Sequence, residues 1–135
     1  MHKELRYSFQ KLNKAFNKLK EGVVEAGQVN GELARDGVIQ RFEFTFELLW
    51  KTLKIFLREK GIEVKTPKDS LKEAFRIGWI KDEGIFAQML EDRNNTSHMY
   101  AEEKVKEIFD RIKANYVASL EKILIALEKE VPGLD

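Results

Sequence analysis

Arg93-Asn94-Asn95-Thr96-Ser97-His98, followed at once by Met99 and Tyr100, gathers polar chemistry that the rest of the 135-residue chain lacks. The chain has two histidines, and the other, His2, sits in the N-terminal tail. Only an imidazole titrates near neutral pH without a perturbing environment, so His98 is the leading candidate for proton transfer. Asn94, Asn95, Thr96 and Ser97 all prefer caps and turns to helix interiors, and the chain is expected to kink or restart among them. In an unbroken helix His98 would share a face with Asn94 and lie about 140° round from Arg93, which keeps Arg93 and His98 from converging. A kink or a second subunit would correct this. Acid–base cleavage of a phosphodiester wants both a base and an acid, yet one chain offers one credible histidine. A twofold dimer with its axis near the hexad would bring two copies of Arg93 and His98 to one composite cleft. The plain alternative is that these residues merely cap a helix end.

The elements that must position the hexad are helices. Leu5, Phe9, Leu12, Phe16, Leu19 and Val23 step along the first segment by fours and threes with Lys and Glu between them, the pattern of an amphipathic helix. Gly22, Gly27, Asn30 and Gly31 weaken helix propensity, and the first connection is expected within that stretch. A second helix is expected from about Asp36 to Lys60, ended by Gly61. Val38, Phe42, Phe46, Leu49, Leu53 and Phe56 form one stripe on it, while Ile39, Phe44, Leu48, Ile55 and Leu57 spread apolar surface over other faces. Such a helix must be covered on two sides, which favours a homodimer. Thr66-Pro67 opens a short helix that Gly78 ends, and Asp82 or Glu83 opens another that leads into the hexad. A long helix from about Met99 to Glu130 follows, with Val105, Ile108, Ile112, Tyr116, Leu120, Ile123 and Leu127 inward and Val131-Pro132-Gly133 as its stop. The expected architecture is one all-α domain over residues 1–135, an up-and-down four-helix bundle with one helix split into short pieces.

Composition removes several kinds of function. The net charge is +1, so there is no global pull toward nucleic acid or an anionic membrane, and any nucleic-acid contact has to be local. The chain has no cysteine, which excludes disulfides, thiolate metal sites and a cysteine nucleophile, and fits a reducing cytoplasm. No stretch is long and apolar enough for a membrane span, and no signal-like apolar core follows the N-terminus. Glu43 and Glu47, one turn apart, are conceivable metal ligands, but no Glu-x-x-His motif accompanies them, and Glu47 with Lys51 reads more simply as an i,i+4 ion pair. No metal or cofactor is expected. Trp50 and Trp79 read as core or interface anchors. Lys104, Lys106, Arg111 and Lys113 alternate with Glu102, Glu103, Glu107 and Asp110, which reads as a solvated face.

The hexad, with Asn94 directly after the arginine, resembles the R-x4-6-H signature of HEPN domains, and Tyr100 extends it to R-x4-H-x-Y, the form found in toxins of HEPN/MNT pairs. Arg41 through Lys54 (Arg-Phe-Glu-Phe-Thr-Phe-Glu-Leu-Leu-Trp-Lys-Thr-Leu-Lys), together with Pro67, Ala74-Phe75 and Gly78, resembles the nucleotidyltransferase substrate-binding proteins. The likeness covers roughly residues 5 to 125. It implies a dimeric bundle that forms a complex with a minimal nucleotidyltransferase, the antitoxin of such a pair. It further implies a metal-independent endoribonuclease in which His98 acts as base or acid, Arg93 stabilises charge on the phosphorane and Asn94 orients the phosphate. AMP transfer to Tyr100 by the partner would silence it. The other function implied is non-catalytic: the same polar cleft would hold a nucleotide or substrate for the partner transferase, with Arg93 clamping phosphate.

Overall fold

The computed structural model describes residues 2–29, 31–96 and 102–131, and every regular element among them is a helix. Helices α1 (His2–Val29) and α2 (Glu32–Glu59) form a long antiparallel pair. Two shorter ones follow, α3 (Pro67–Arg76) and α4 (Glu83–Asn95). The last helical run is α5 (Glu102–Arg111), a π turn (Ile112–Tyr116) and α6 (Val117–Glu128) without a break between them. The architecture is the expected all-α bundle, with α3 and α4 as the split fourth member.

The apolar stripes account for the core. Leu5, Phe9, Leu12, Phe16 and Leu19 of α1 are buried, as are Val38, Phe42, Phe46, Leu49, Leu53 and Phe56 of α2 and Ile108, Ile112, Tyr116, Leu120, Ile123 and Leu127 of the last run. Each such side chain contributes about 1.5–3 kcal/mol of transfer free energy. Phe46→Ala, at a site with no exposure, is expected to cost about 3–5 kcal/mol. Helix α2 is central, packing against α1, α3, α4 and α5. Two buried threonines help α1 and α2 approach: Thr45 Oγ1 donates to Arg41 O at 2.7 Å and faces Ala15 O at 3.3 Å, and Thr52 Oγ1 reaches Ser8 O at 3.4 Å.

Local signals set the helix ends. After α2, Gly61 adopts φ 79°, and its N–H and that of Ile62 return to Arg58 O and Leu57 O. Gly78, at φ 93°, ends α3 in the same way, with Trp79 N–H bonded to Ala74 O. Both are Schellman caps, in which a left-handed residue that glycine adopts without strain lets two N–H groups satisfy the last carbonyls. Pro67 occupies the first turn of α3, and Thr66 caps it by accepting from Asp69 N–H at 3.1 Å.

Two boundaries differ from expectation. Helix α1 continues through Gly22 and Gly27, and α2 begins at Glu32 instead of about Asp36. In that first turn Leu33 is exposed and only Ala34 packs partly against the core, too little for a periodic apolar pattern to register. Asp82 stands at the start of α4, but its side chain does not cap the helix; it accepts from the Ser119 hydroxyl and ties α4 to α6.

Candidate active site around Arg93

The expected break inside the hexad occurs at Thr96. Helix α4 ends at Asn95, Thr96 N–H bonds to Asp92 O at 2.9 Å, and the Thr96 hydroxyl donates to Arg93 O at 2.8 Å. The polar run thus supplies its own C-terminal cap, and Arg93 is carried on the last turn of α4. Ser97, His98, Met99 and Tyr100 lie outside the described residues, so the convergence of Arg93 with His98 and the place of Tyr100 remain expectations.

The guanidinium of Arg93 is held from two directions. Its Nη2 makes a short ion pair with the Glu47 carboxylate of α2, and its Nη1 donates to Asn94 Oδ1 at 3.3 Å. The Arg93 and Glu47 side chains are each about a third exposed, so the pair is open to solvent and to a ligand. Glu47 also meets Lys51 Nζ at 3.3 Å, the i,i+4 contact expected from their spacing. Partial burial works to raise the Glu47 carboxyl, but Lys51, the Trp50 indole side and Arg93 together outweigh it and hold the group below the usual carboxylate range. The Trp50 indole N–H is buried and falls short of hydrogen-bond geometry. A carboxylate already engaged by two cations is a poor metal ligand, and no group of three or more His, Asp or Glu that could hold a metal exists among the described residues.

One residue earlier on the same helix, Asp92 faces inward and is 1 % exposed. Arg111 grips it bidentately, Nε to Oδ2 at 2.8 Å and Nη2 to Oδ1 at 2.7 Å. The Tyr116 hydroxyl makes a short hydrogen bond to Oδ2, and Gln88 Nε2 approaches Oδ1 at 3.4 Å. The carboxylate drives the Arg111 pKa further up, mainly through these hydrogen bonds. Burial first, then the same carboxylate, raises the Tyr116 phenol well above its ordinary value.

The π turn makes this arrangement possible. In an α-helix, residues five apart point about 140° away from each other. Between Arg111 and Tyr116 the helix widens, and Val117 N–H bonds to Ile112 O, five residues back. That wider turn brings both donors to one side, where they meet the same acid. Arg111 is therefore not simply part of a solvated face, as its alternation with acids suggested; although 29% exposed, it is the main cation on a buried acid. The ring of Tyr116 stacks on Phe42 of α2, centroids 5.4 Å apart, so the network also fixes α4 and the last helical run against the central helix.

Asn94 is exposed and borders a cleft of about 630 Å³ between α3 and α4, whose rim includes Lys68 and Lys72 opposed by Glu83 and Glu91. Of the two tryptophans, Trp79 meets Phe56 edge-on at 6.1 Å and Trp50 is half-buried beside Glu47, so both serve as packing anchors.

Sequence reasoning missed that Glu47 belongs to Arg93 and missed the Asp92–Arg111–Tyr116 network altogether. Two signals were available. Asp92 continues the inward face of α4 by threes from Phe86 and Met89, and a tyrosine in the inner stripe of the last helix needs a buried partner for its hydroxyl.

Comparison with known proteins is consistent with this geometry. Residues 7–129 match the family described as "Nucleotidyltransferase substrate binding protein like". A Haemophilus influenzae protein named "Probable ribonuclease HepT" is 33% identical over 115 residues, covering 75% of this chain and 79% of its own. A crystal structure of a Thermus thermophilus protein superposes with a TM-score of 0.75 at 35% identity, covering 86% of this chain and 98% of that one. Arg93 at the end of α4, the bundle that holds it and the match over nearly the whole length agree: the chain belongs to the nucleotidyltransferase substrate-binding type of the HEPN family.

Proposed function

We propose that the protein is a metal-independent endoribonuclease, the toxin of a pair whose antitoxin is a minimal nucleotidyltransferase. The observation that carries this reading is the partly exposed Arg93 guanidinium, fixed by Glu47 and Asn94 at the helix end where the R-x4-H spacing begins. The relative named as a probable ribonuclease supports it. In the reaction, the ribose 2′-oxygen attacks phosphorus and loses its proton to a base, and the 5′-oxygen leaves with a proton from an acid. The products are a 2′,3′-cyclic phosphate and a 5′-hydroxyl. His98 serves as base or acid, with the second copy of His98 in a homodimer supplying the other role. Arg93 stabilises the phosphorane charge and Asn94 orients the phosphate. AMP transferred to Tyr100 would place a phosphate beside Arg93 and exclude RNA.

The test is cleavage of a labelled RNA in EDTA by wild type and His98→Ala side by side, with the ends checked for cyclic phosphate. Cleavage by wild type alone is expected; equal cleavage by both would remove His98 from the mechanism. For Tyr100, incubation with the partner and ATP should add mass in multiples of AMP, and persistence of that gain in Tyr100→Phe would rule this tyrosine out.

The cleft between α3 and α4 favours a second reading, in which the protein is a non-catalytic subunit that holds a nucleotide or substrate for the partner. It is of ligand size and carries Asn94 and two lysines on its rim. Under this reading RNA stays intact, and Arg93→Ala weakens nucleotide binding or the transferase reaction.

A further inference from the structure

The net charge of the chain is +1, yet its cations are not evenly spread. Lys11, Lys14 and Lys18 lie on one face of α1 and line a groove of about 590 Å³ with Arg41, Phe44 and Leu48 of α2. The lining contains no carboxylate. None of the three lysines makes an ion pair with an acid among the described residues. The fourth cation is built in: Arg41 Nη1 donates to Lys18 O at 2.7 Å, and its side chain lies against Gly22, where an added Cβ would come within 3.0 Å of that nitrogen.

Phe44 stands in this groove 60% exposed, an aromatic ring that the bundle does not bury. At one end of the lysine row Tyr7 is 64% exposed, with Lys11 Nζ 5.3 Å from its ring centre. Cations that track a backbone, interleaved with exposed rings on which bases stack, are what a single-stranded nucleic acid requires of a protein surface. The outer face of α2 links the groove to Arg93. Arg41 and Glu47 flank Phe44 by about 60° on either side, and Glu47 holds Arg93.

We propose that the α1–α2 groove is a binding track for single-stranded RNA, with Lys11, Lys14, Lys18 and Arg41 on the phosphates and Phe44 stacked on a base, delivering the strand across α2 toward Arg93. This rests on the ribonuclease reading for the identity of the strand, but the groove can be tested separately from catalysis.

The probe is a fluorescently labelled 2′-O-methyl oligouridylate, which lacks the attacking hydroxyl and so reports binding alone. Its affinity for the purified full chain is measured by anisotropy over a range of salt. Lys14→Ala/Lys18→Ala should weaken binding at least tenfold at low salt and reduce the salt slope by about 0.7 for each lysine removed. Phe44→Ala should weaken binding about tenfold and leave the slope unchanged, which separates stacked bases from a bare polyanion. These residues are exposed, so thermal melting and mass by light scattering should stay as in wild type. Wild-type affinity in both variants, or a wild type that does not bind the probe, overturns the proposal. So does a change in mass, which would make this face a contact between copies of the chain. If unmodified RNA is cleaved normally while groove variants bind like wild type, the groove fails and the nuclease reading stands. If the groove binds as expected and no RNA is cleaved, the reverse holds.

Discussion

Asp92 and Arg93 are neighbours on one turn of α4, each in an ion pair that crosses to another helix, and they do opposite work. Asp92 is buried, with two oxygens and at least three donor contacts from Arg111 and Tyr116. Arg93 is a third exposed, and its partner Glu47 is shared with Lys51. A buried pair cannot lose one member without leaving an uncompensated charge, whereas a surface pair loosens at little cost. The last turn of α4 is therefore anchored by one residue, and the next stays partly exposed. On the proposed function, stability and activity are separated by a single peptide unit.

The sharpest way to break this contrast is Asp92→Ala, which strips the acceptor from the buried Tyr116 hydroxyl and from the Arg111 guanidinium, itself 29% exposed. It is expected to cost about 3 kcal/mol in urea unfolding, the lower end for a broken buried pair because Arg111 keeps access to water, and a loss below about 1 kcal/mol would show that Asp92 is no anchor. Tyr116→Phe should follow with about 1.5–3 kcal/mol, the worth of one hydrogen bond to a charged group, since its ring can keep the stack on Phe42. Arg93→Ala should change unfolding free energy by no more than about 1 kcal/mol while abolishing RNA cleavage. An Arg93→Ala protein as unstable as Asp92→Ala would erase the distinction.

The smallest effect concerns acid. Glu47 in the folded chain is held below its ordinary range by Lys51 and Arg93 despite burial, so its contribution is fully present above the unfolded value and lost as pH falls through the folded one. Glu47→Gln should accordingly flatten the acid limb of stability against pH slightly and leave the neutral region unchanged in shape. An unaltered acid limb would mean that the pair with Arg93 contributes nothing to folding.

Much of the scaffold was legible because burial in this bundle follows the three- and four-residue steps of its apolar residues, and because Pro67, Gly61 and Gly78 act locally. Leu12, Phe42 and Ile108 could be placed inside from spacing alone. The start of α2 was not legible, since its first turn buries only part of Ala34. Nor was the site's support. Glu47 and Arg93 are 46 residues apart and Asp92 and Arg111 are 19 apart, so their pairing depends on how helices dock. In a sequence where charges alternate, each of these residues looks like surface. The π turn was equally hidden, because Ile112, Lys113, Ala114, Asn115 and Tyr116 are all tolerated in an ordinary helix, and only the need to serve one acid twice distinguishes them.

That π turn also bears on how the chain can change length. Removing one residue between Ile112 and Tyr116 would let the segment relax into a regular α-helix. Everything beyond it would keep nearly its present phase relative to α5, because four residues at about 100° each turn through nearly the same angle as the five of the wider turn. Arg111 and Tyr116 would then stand four apart on one helical face, still placed to meet Asp92, and Ser119 would keep Asp82. A one-residue deletion here should therefore be easier to tolerate than one inside α5 or α6, which would turn everything beyond it by about 100°. The wide turn stores a residue without altering the alignment of the two halves, and the floor beneath the candidate site rests on that alignment.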